Sequence, residues 1–192
     1  MSKKYEFKPD KPQITLLNKL YITATQRKII LKWFLYAMVL LVLSVLQDVI
    51  LCQFRLFGAT TDLVPCAIIL ICVMEGAEGG SIFTLVSALL YLFSGTASGA
   101  YAMVLITALA IFASLFRQTY LRKGFSAAML CTVLAFILYE AAIFGIGLFL
   151  GLTYPGRLIG FGVTTALSLV AAPVLYPILL RIGTIGGDVW KE

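Results

Sequence analysis

Histidine is absent from this 192-residue sequence. Its absence removes the Ser-His hydrolases, the His-Glu-x-x-His metalloproteases and every haem or zinc site that depends on imidazole. Charge is scarce too, at 12% of residues, against roughly 25% in a soluble domain. Cysteine is limited to Cys52, Cys66, Cys72 and Cys131, none of them in a Cys-x-x-Cys pair. In apolar runs these read as small buried hydrophobes, so no metal, redox centre or other cofactor is expected. No phosphate loop, dinucleotide fingerprint, nucleophile elbow or glycosidase-type carboxylate pair occurs, which leaves an enzymatic reading little to rest on. What the sequence does have is apolar side chain, at 61%. That excess does not fit inside one globular core of this length, and it marks an all-α integral membrane protein with one polytopic domain.

A spanning helix needs about 20 apolar residues. Residues 33–51, 126–150 and 158–180 meet this requirement, and 100–116 is slightly short. Residues 62–74 and 81–93 are apolar but shorter, separated by the Glu-Gly-Ala-Glu-Gly-Gly stretch at 75–80. They form either two thin helices or the arms of a re-entrant hairpin. Both versions predict chain ends on one side, with about six helices. Thirteen of the fifteen basic residues then fall on that side: eight in residues 1–32, then Arg117, Arg122, Lys123, Arg181 and Lys191. Only Arg55 and Arg157 fall opposite. The positive-inside rule makes both termini cytoplasmic, with a membrane domain at 33–181 and a short tail at 182–192. The lead shows no small-x-small cleavage site. It reads either as a helix on the inner leaflet, with Ile14, Leu17, Tyr21 and Ala24 on one face, or as a disordered basic tail. The net charge of +6 follows from this arrangement and attracts anionic lipid. It gives no case for nucleic acid, since the basic residues lack interleaved aromatics and a soluble fold.

Glu140 is the most informative residue. It lies with Tyr139 near the middle of the fifth span, where a charge costs about 2.5–3.5 kcal/mol on insertion scales. It is expected to be protonated, hydrogen-bonded to another helix, or paired with a partner protein; a proton-relay or ion site is the sharper alternative. Asp62 precedes Leu63-Val64-Pro65 and reads as a helix cap, with Pro65 in the first turn, where a missing N–H does no harm. Asp48 and Arg55 read as a surface pair. Gly147–Gly151 and Gly156–Gly160 have the small-x-x-x-small spacing that lets helix backbones touch, around a Tyr154-Pro155-Gly156 turn. Pro173 and Pro177 are expected to bend the last span, to fit its neighbours or to open a groove for a partner. These features amount to a partner-dependent membrane subunit.

The order of features is more specific than any one of them. Val45-Leu46-Gln47-Asp48 leads to Leu56-Phe57-Gly58-Ala59, then Asp62-Leu63-Val64, Gly76-Ala77-Glu78-Gly79 and Ala88-Leu89-Leu90-Tyr91. Ser94-Gly95, Gly99 and Leu138-Tyr139-Glu140 follow. Together they resemble the bacterial rod shape-determining protein MreD family over about residues 33–181. In this chain Thr61 stands where that family usually has proline, and the stretch after Ala88 carries no acid. The resemblance implies a non-enzymatic scaffold of the cell-elongation machinery. Its direct partner would be the bitopic protein MreC, and through it the MreB filament, the polymerase RodA and a class B penicillin-binding protein. It also implies a fold similar to the substrate-binding subunits of energy-coupling factor vitamin transporters, and a subunit of that kind is the alternative reading. Such a subunit needs an outward pocket, for which Arg55, Ser94, Thr96, Ser98, Tyr101, Thr153 and Tyr154 are the candidate groups. A lipid-handling enzyme or flippase would need a catalytic cluster that the sequence does not offer.

Overall fold

A computed structural model describes residues 24–53, 60–95, 97–121 and 124–186. Six α-helices run through it: α1 Ala24–Val45, α2 Leu63–Glu75, α3 Ala77–Phe93, α4 Ala100–Tyr120, α5 Phe125–Phe149 and α6 Leu158–Gly183. A π turn, Leu46–Ile50, and a 3-10 turn, Leu51–Gln53, extend α1, and no strand occurs among the described residues. Four segments are long and apolar enough to cross a membrane, Gln26–Ile50, Ala100–Tyr120, Phe125–Phe149 and Pro155–Gly183. The described residues are thus helical without strands, and their long apolar helices are those of a membrane protein.

The core is organised around α2. Twelve of its 13 residues, Leu63 through Met74, are buried, because the other helices pack around it on all sides. Those helices turn small or polar side chains inward. The buried stripe of α3 is Gly80, Thr84, Ser87, Ala88 and Tyr91, and that of α4 is Ala102, Ile106, Ala110, Ala113, Ser114 and Arg117. On α5 two rows of four-residue spacing face in, Ala128-Thr132-Phe136-Glu140 and Cys131-Ala135-Tyr139-Ile143-Gly147. The large aliphatics face out, Leu130, Leu134 and Ile137 on α5 among them. With lipid tails outside, close packing of small residues rather than water exclusion holds such helices together.

The 75–80 stretch is not a loop. Gly76, at φ +94°, is the whole hinge between α2 and α3, and Ala77 to Gly80 already form the first turn of α3. A backbone in that region strains any residue with a Cβ. Gly80 has a different role, for a Cβ there would meet the Cys72 backbone at 3.0 Å. We expect Gly80→Leu to lower stability by about 1–3 kcal/mol through overpacking, while Gly160→Ala, with open space around it, is tolerated. Thermal unfolding in detergent checks the contrast.

Three boundaries differ from expectation. The first helix already includes Ala24, so Lys32 is not part of a solvated lead: it is 7% exposed and sits inside the bundle. Arg117 is not in a loop but in the last turn of α4, buried, with its guanidinium toward the Met74 carbonyl at 3.5 Å. There it offsets the negative end of α2. The last helix continues to Gly183 and buries Ile182. The interfacial reading of residues 14–21 lies outside the described residues, as do Arg55 and Thr96.

Candidate functional site

The helix α1 ties down both ends of α2. Gln47 and Lys32 are fifteen positions apart, about 22 Å along a helix, and the 13 residues of α2 cover about 20 Å. At one end the Lys32 ammonium donates to Glu75 Oε2 at 2.5 Å and the Tyr36 hydroxyl to Glu75 Oε1 at 2.6 Å. Tyr36 also lies 3.3 Å from the Leu179 carbonyl, which brings in α6. Glu75, the first residue of the stretch between the two short apolar segments, is therefore held inside the bundle; its side chain is 4% exposed.

At the other end the cap is not Asp62. Its carboxylate makes no capping bond to α2, and the residue sits at φ −118°, ψ 77°. Gln47 takes the role across the bundle: its Oε1 accepts from Leu63 N at 2.8 Å and Val64 N at 3.1 Å. Its Nε2 donates to Asp62 Oδ1 at 3.2 Å. The Tyr91 hydroxyl reaches Asp62 Oδ1 at 2.9 Å and Oδ2 at 3.1 Å. Asp62 N donates to Ser168 Oγ at 2.8 Å. The Asp62 carboxylate is turned away because α3 presents a phenol to it, and a side chain from a distant helix then satisfies the orphan N–H groups. Nothing local to the sequence announces this; a lone Gln at the polar end of an apolar span was the available signal.

Because α2 is about 20 Å long and a bilayer core about 30 Å thick, its N-terminus begins deep in the bundle. No residue of α6 before Ser168 is buried, so the wall on that side stands open. The result is a cavity of about 780 Å³. Gln47, Asp48, Asp62, Tyr91, Ser98, Tyr139, Glu140, Tyr154 and Arg157 supply most of its polar lining. Five residues singled out in the sequence meet there: Asp62, Tyr139, Glu140, Gly156 and Gly160. Among the proposed pocket groups, Ser98 and Tyr154 line it. Ser94 bonds the Tyr91 carbonyl at 2.7 Å and Tyr101 the Ser98 carbonyl at 3.0 Å.

Glu140 is 6% exposed, and among the described residues no donor reaches its carboxylate. Of the three alternatives for Glu140, the hydrogen bond to another helix is not made among the described residues; the residue lines the cavity. Asp62 lies near enough to act on it electrostatically.

The remaining glycines shape a turn rather than a helix contact. Gly147 O accepts from Leu152 N at 2.8 Å and Thr153 N at 3.1 Å, and Gly151, at φ +70°, lies beyond the helix end. A Cβ on Gly147 would meet Thr153 Oγ1 at 2.9 Å, and one on Gly156 the Tyr154 ring at 3.0 Å. The chain reverses at the end of α5, so the glycines serve the reversal. Pro173 and Pro177 both sit on the exposed side of α6, which runs unbroken through them. Among the described residues no group of His, Cys, Asp and Glu is arranged to hold a metal ion. Comparison with family models, curated proteins and solved structures gives no match.

Proposed function

We propose that the chain is a membrane scaffold subunit of the bacterial cell-elongation machinery, of the MreD type. In this reading six helices lie in the cytoplasmic membrane with both termini inside, and MreC docks on the bundle from within the bilayer. MreC in turn connects to MreB, RodA and a class B penicillin-binding protein. The ordered run of short features from Val45 to Glu140 supports the family, and one structural observation supports the mechanical role. The central helix is enclosed and pinned at both termini by side chains of α1, through Gln47 at one end and Lys32 with Tyr36 at the other. That geometry suits a rigid platform whose outer faces carry exposed apolar side chains, such as Phe34, Leu41, Val42 and Val45 on α1, to meet lipid or a partner helix.

A second reading is favoured by the cavity. Its volume of about 780 Å³ falls in the range of small-molecule sites, about 300–1,000 Å³. A substrate-binding subunit of an energy-coupling factor transporter needs such a pocket. One experiment separates the two: purification of the tagged chain from its own host's membranes in mild detergent, with identification of what accompanies it. Recovery of MreC and the elongation synthase is the expected result. Recovery of paired ATPases with a coupling membrane subunit overturns the scaffold reading.

A further inference from the structure

We propose that the cavity bordered by α3, α5, α6 and the residues that follow α1 and precede α2 binds an ammonium group, with the Glu140 carboxylate as its counter-ion. The inference goes beyond the scaffold reading and does not depend on it. Among the described lining residues the acids Asp48, Asp62 and Glu140 face a single base, Arg157. The two deeper carboxylates are unequally provided for. Asp62 accepts from Tyr91 and Gln47. Glu140, more than nine-tenths buried, accepts from no described residue. Glu140 lines the cavity, so a ligand that brings a donor there meets a carboxylate that no described residue has taken.

The chemistry of the cation follows from the walls. The acids are too dispersed to form a metal site among the described residues, and the cavity is far larger than an ion. An ammonium needs less: one carboxylate for a charge-assisted hydrogen bond, neighbouring oxygens for its other protons, and aromatic faces around it. Tyr91, Tyr139, Tyr154 and Phe161 are the aromatic residues of the cavity's lining.

Two sources share this chemistry, a water-soluble amine and an amine lipid headgroup. Glu140 also borders an apolar groove of about 480 Å³ between α5 and α6, lined by Ala141, Phe144, Gly162 and Ala166. A headgroup in the cavity would leave room there for an acyl chain.

The test is thermal unfolding of the full chain by tryptophan fluorescence. One arm titrates ethanolamine in detergent; the other compares nanodiscs of phosphatidylglycerol with and without phosphatidylethanolamine. A rise in Tm in the first arm assigns a soluble amine, and a rise in the second alone assigns a lipid headgroup; both support the proposal. Glu140→Gln is expected to weaken the response about tenfold or more through loss of the charge-assisted bond, with helix content by circular dichroism as the check on folding. Arg157→Gln, at an exposed position, removes the competing positive charge and is expected to tighten it. No response in either arm overturns the proposal. So does a response unchanged in Glu140→Gln, a weaker one in Arg157→Gln, or an equal response to inorganic phosphate.

Discussion

Replacing Glu75 by leucine is expected to lower stability by about 3–5 kcal/mol, the cost of stranding a buried charge. The change removes the only acid at the Lys32 ammonium among the described contacts and the acceptor of the Tyr36 hydroxyl. Lys32 cannot swing into water, because it sits on the inner side of α1 at 7% exposure. The companion variant decides whether the pair itself stabilises or whether breaking it destabilises. Lys32→Met with Glu75→Leu removes both charges, and most of the loss is expected to be recovered, since two charges withdrawn from water gain little net energy from each other. Unfolding of the two variants and the parent in detergent, monitored by circular dichroism, measures this. A double variant as unstable as Glu75→Leu alone would show that the pair contributes on its own account. Tyr36→Phe tests the third member: its hydroxyl meets Glu75 and lies near the Leu179 carbonyl, so a loss of about 1 kcal/mol is expected.

Gln47→Leu is expected to cost about 3 kcal/mol or more, at about 1–3 kcal/mol for each buried group left unsatisfied. Three groups lose a partner at once: Leu63 N, Val64 N and the Asp62 carboxylate. Leucine preserves the volume, so packing contributes little and the loss is electrostatic. Gln47→Glu separates the two functions of the amide. It retains the acceptor for the two N–H groups but puts a second carboxylate where Asp62 had a donor. Its stability is expected to lie between that of the parent and Gln47→Leu near neutral pH and to recover toward the parent in acid, where protonation restores a donor. Hydrogen exchange of the first turn of α2 gives a local readout: faster exchange in Gln47→Leu, near-native exchange in Gln47→Glu. Equal protection in all three would mean that Gln47 does not cap this helix.

Both predictions rest on residues whose importance the linear sequence conceals. Lys32 stands at the edge of a basic run and reads as one more solvated cation. Glu75 stands in a glycine-rich acidic stretch and reads as a turn. Helix periodicity puts each on a face, but only packing tells which face is interior. In a membrane protein the usual clue is weakened, since both faces are apolar and the inward one is distinguished by smallness instead. The two rows on α5, from Ala128 to Glu140 and from Cys131 to Gly147, follow that rule, yet small residues also recur in turns, which is where Gly147, Gly151 and Gly156 are used.

The sequence by itself determined the class of the molecule. A spanning helix is a local object, made by some twenty consecutive apolar residues that satisfy their own backbone, so the four long apolar segments were legible from composition and length. It also drew attention to Asp62, Tyr139 and Glu140, because an acid amid apolar side chains is conspicuous without any fold. The tertiary structure alone decided what those acids meet. Asp62 is satisfied by a phenol 29 positions away and an amide 15 positions away, while Glu140 is left facing a cavity that exists because α2 is short and the part of α6 before Ser168 stands clear of the core. Hydrogen bonds between helices depend on distance in space, and separation along the chain carries almost no information about it.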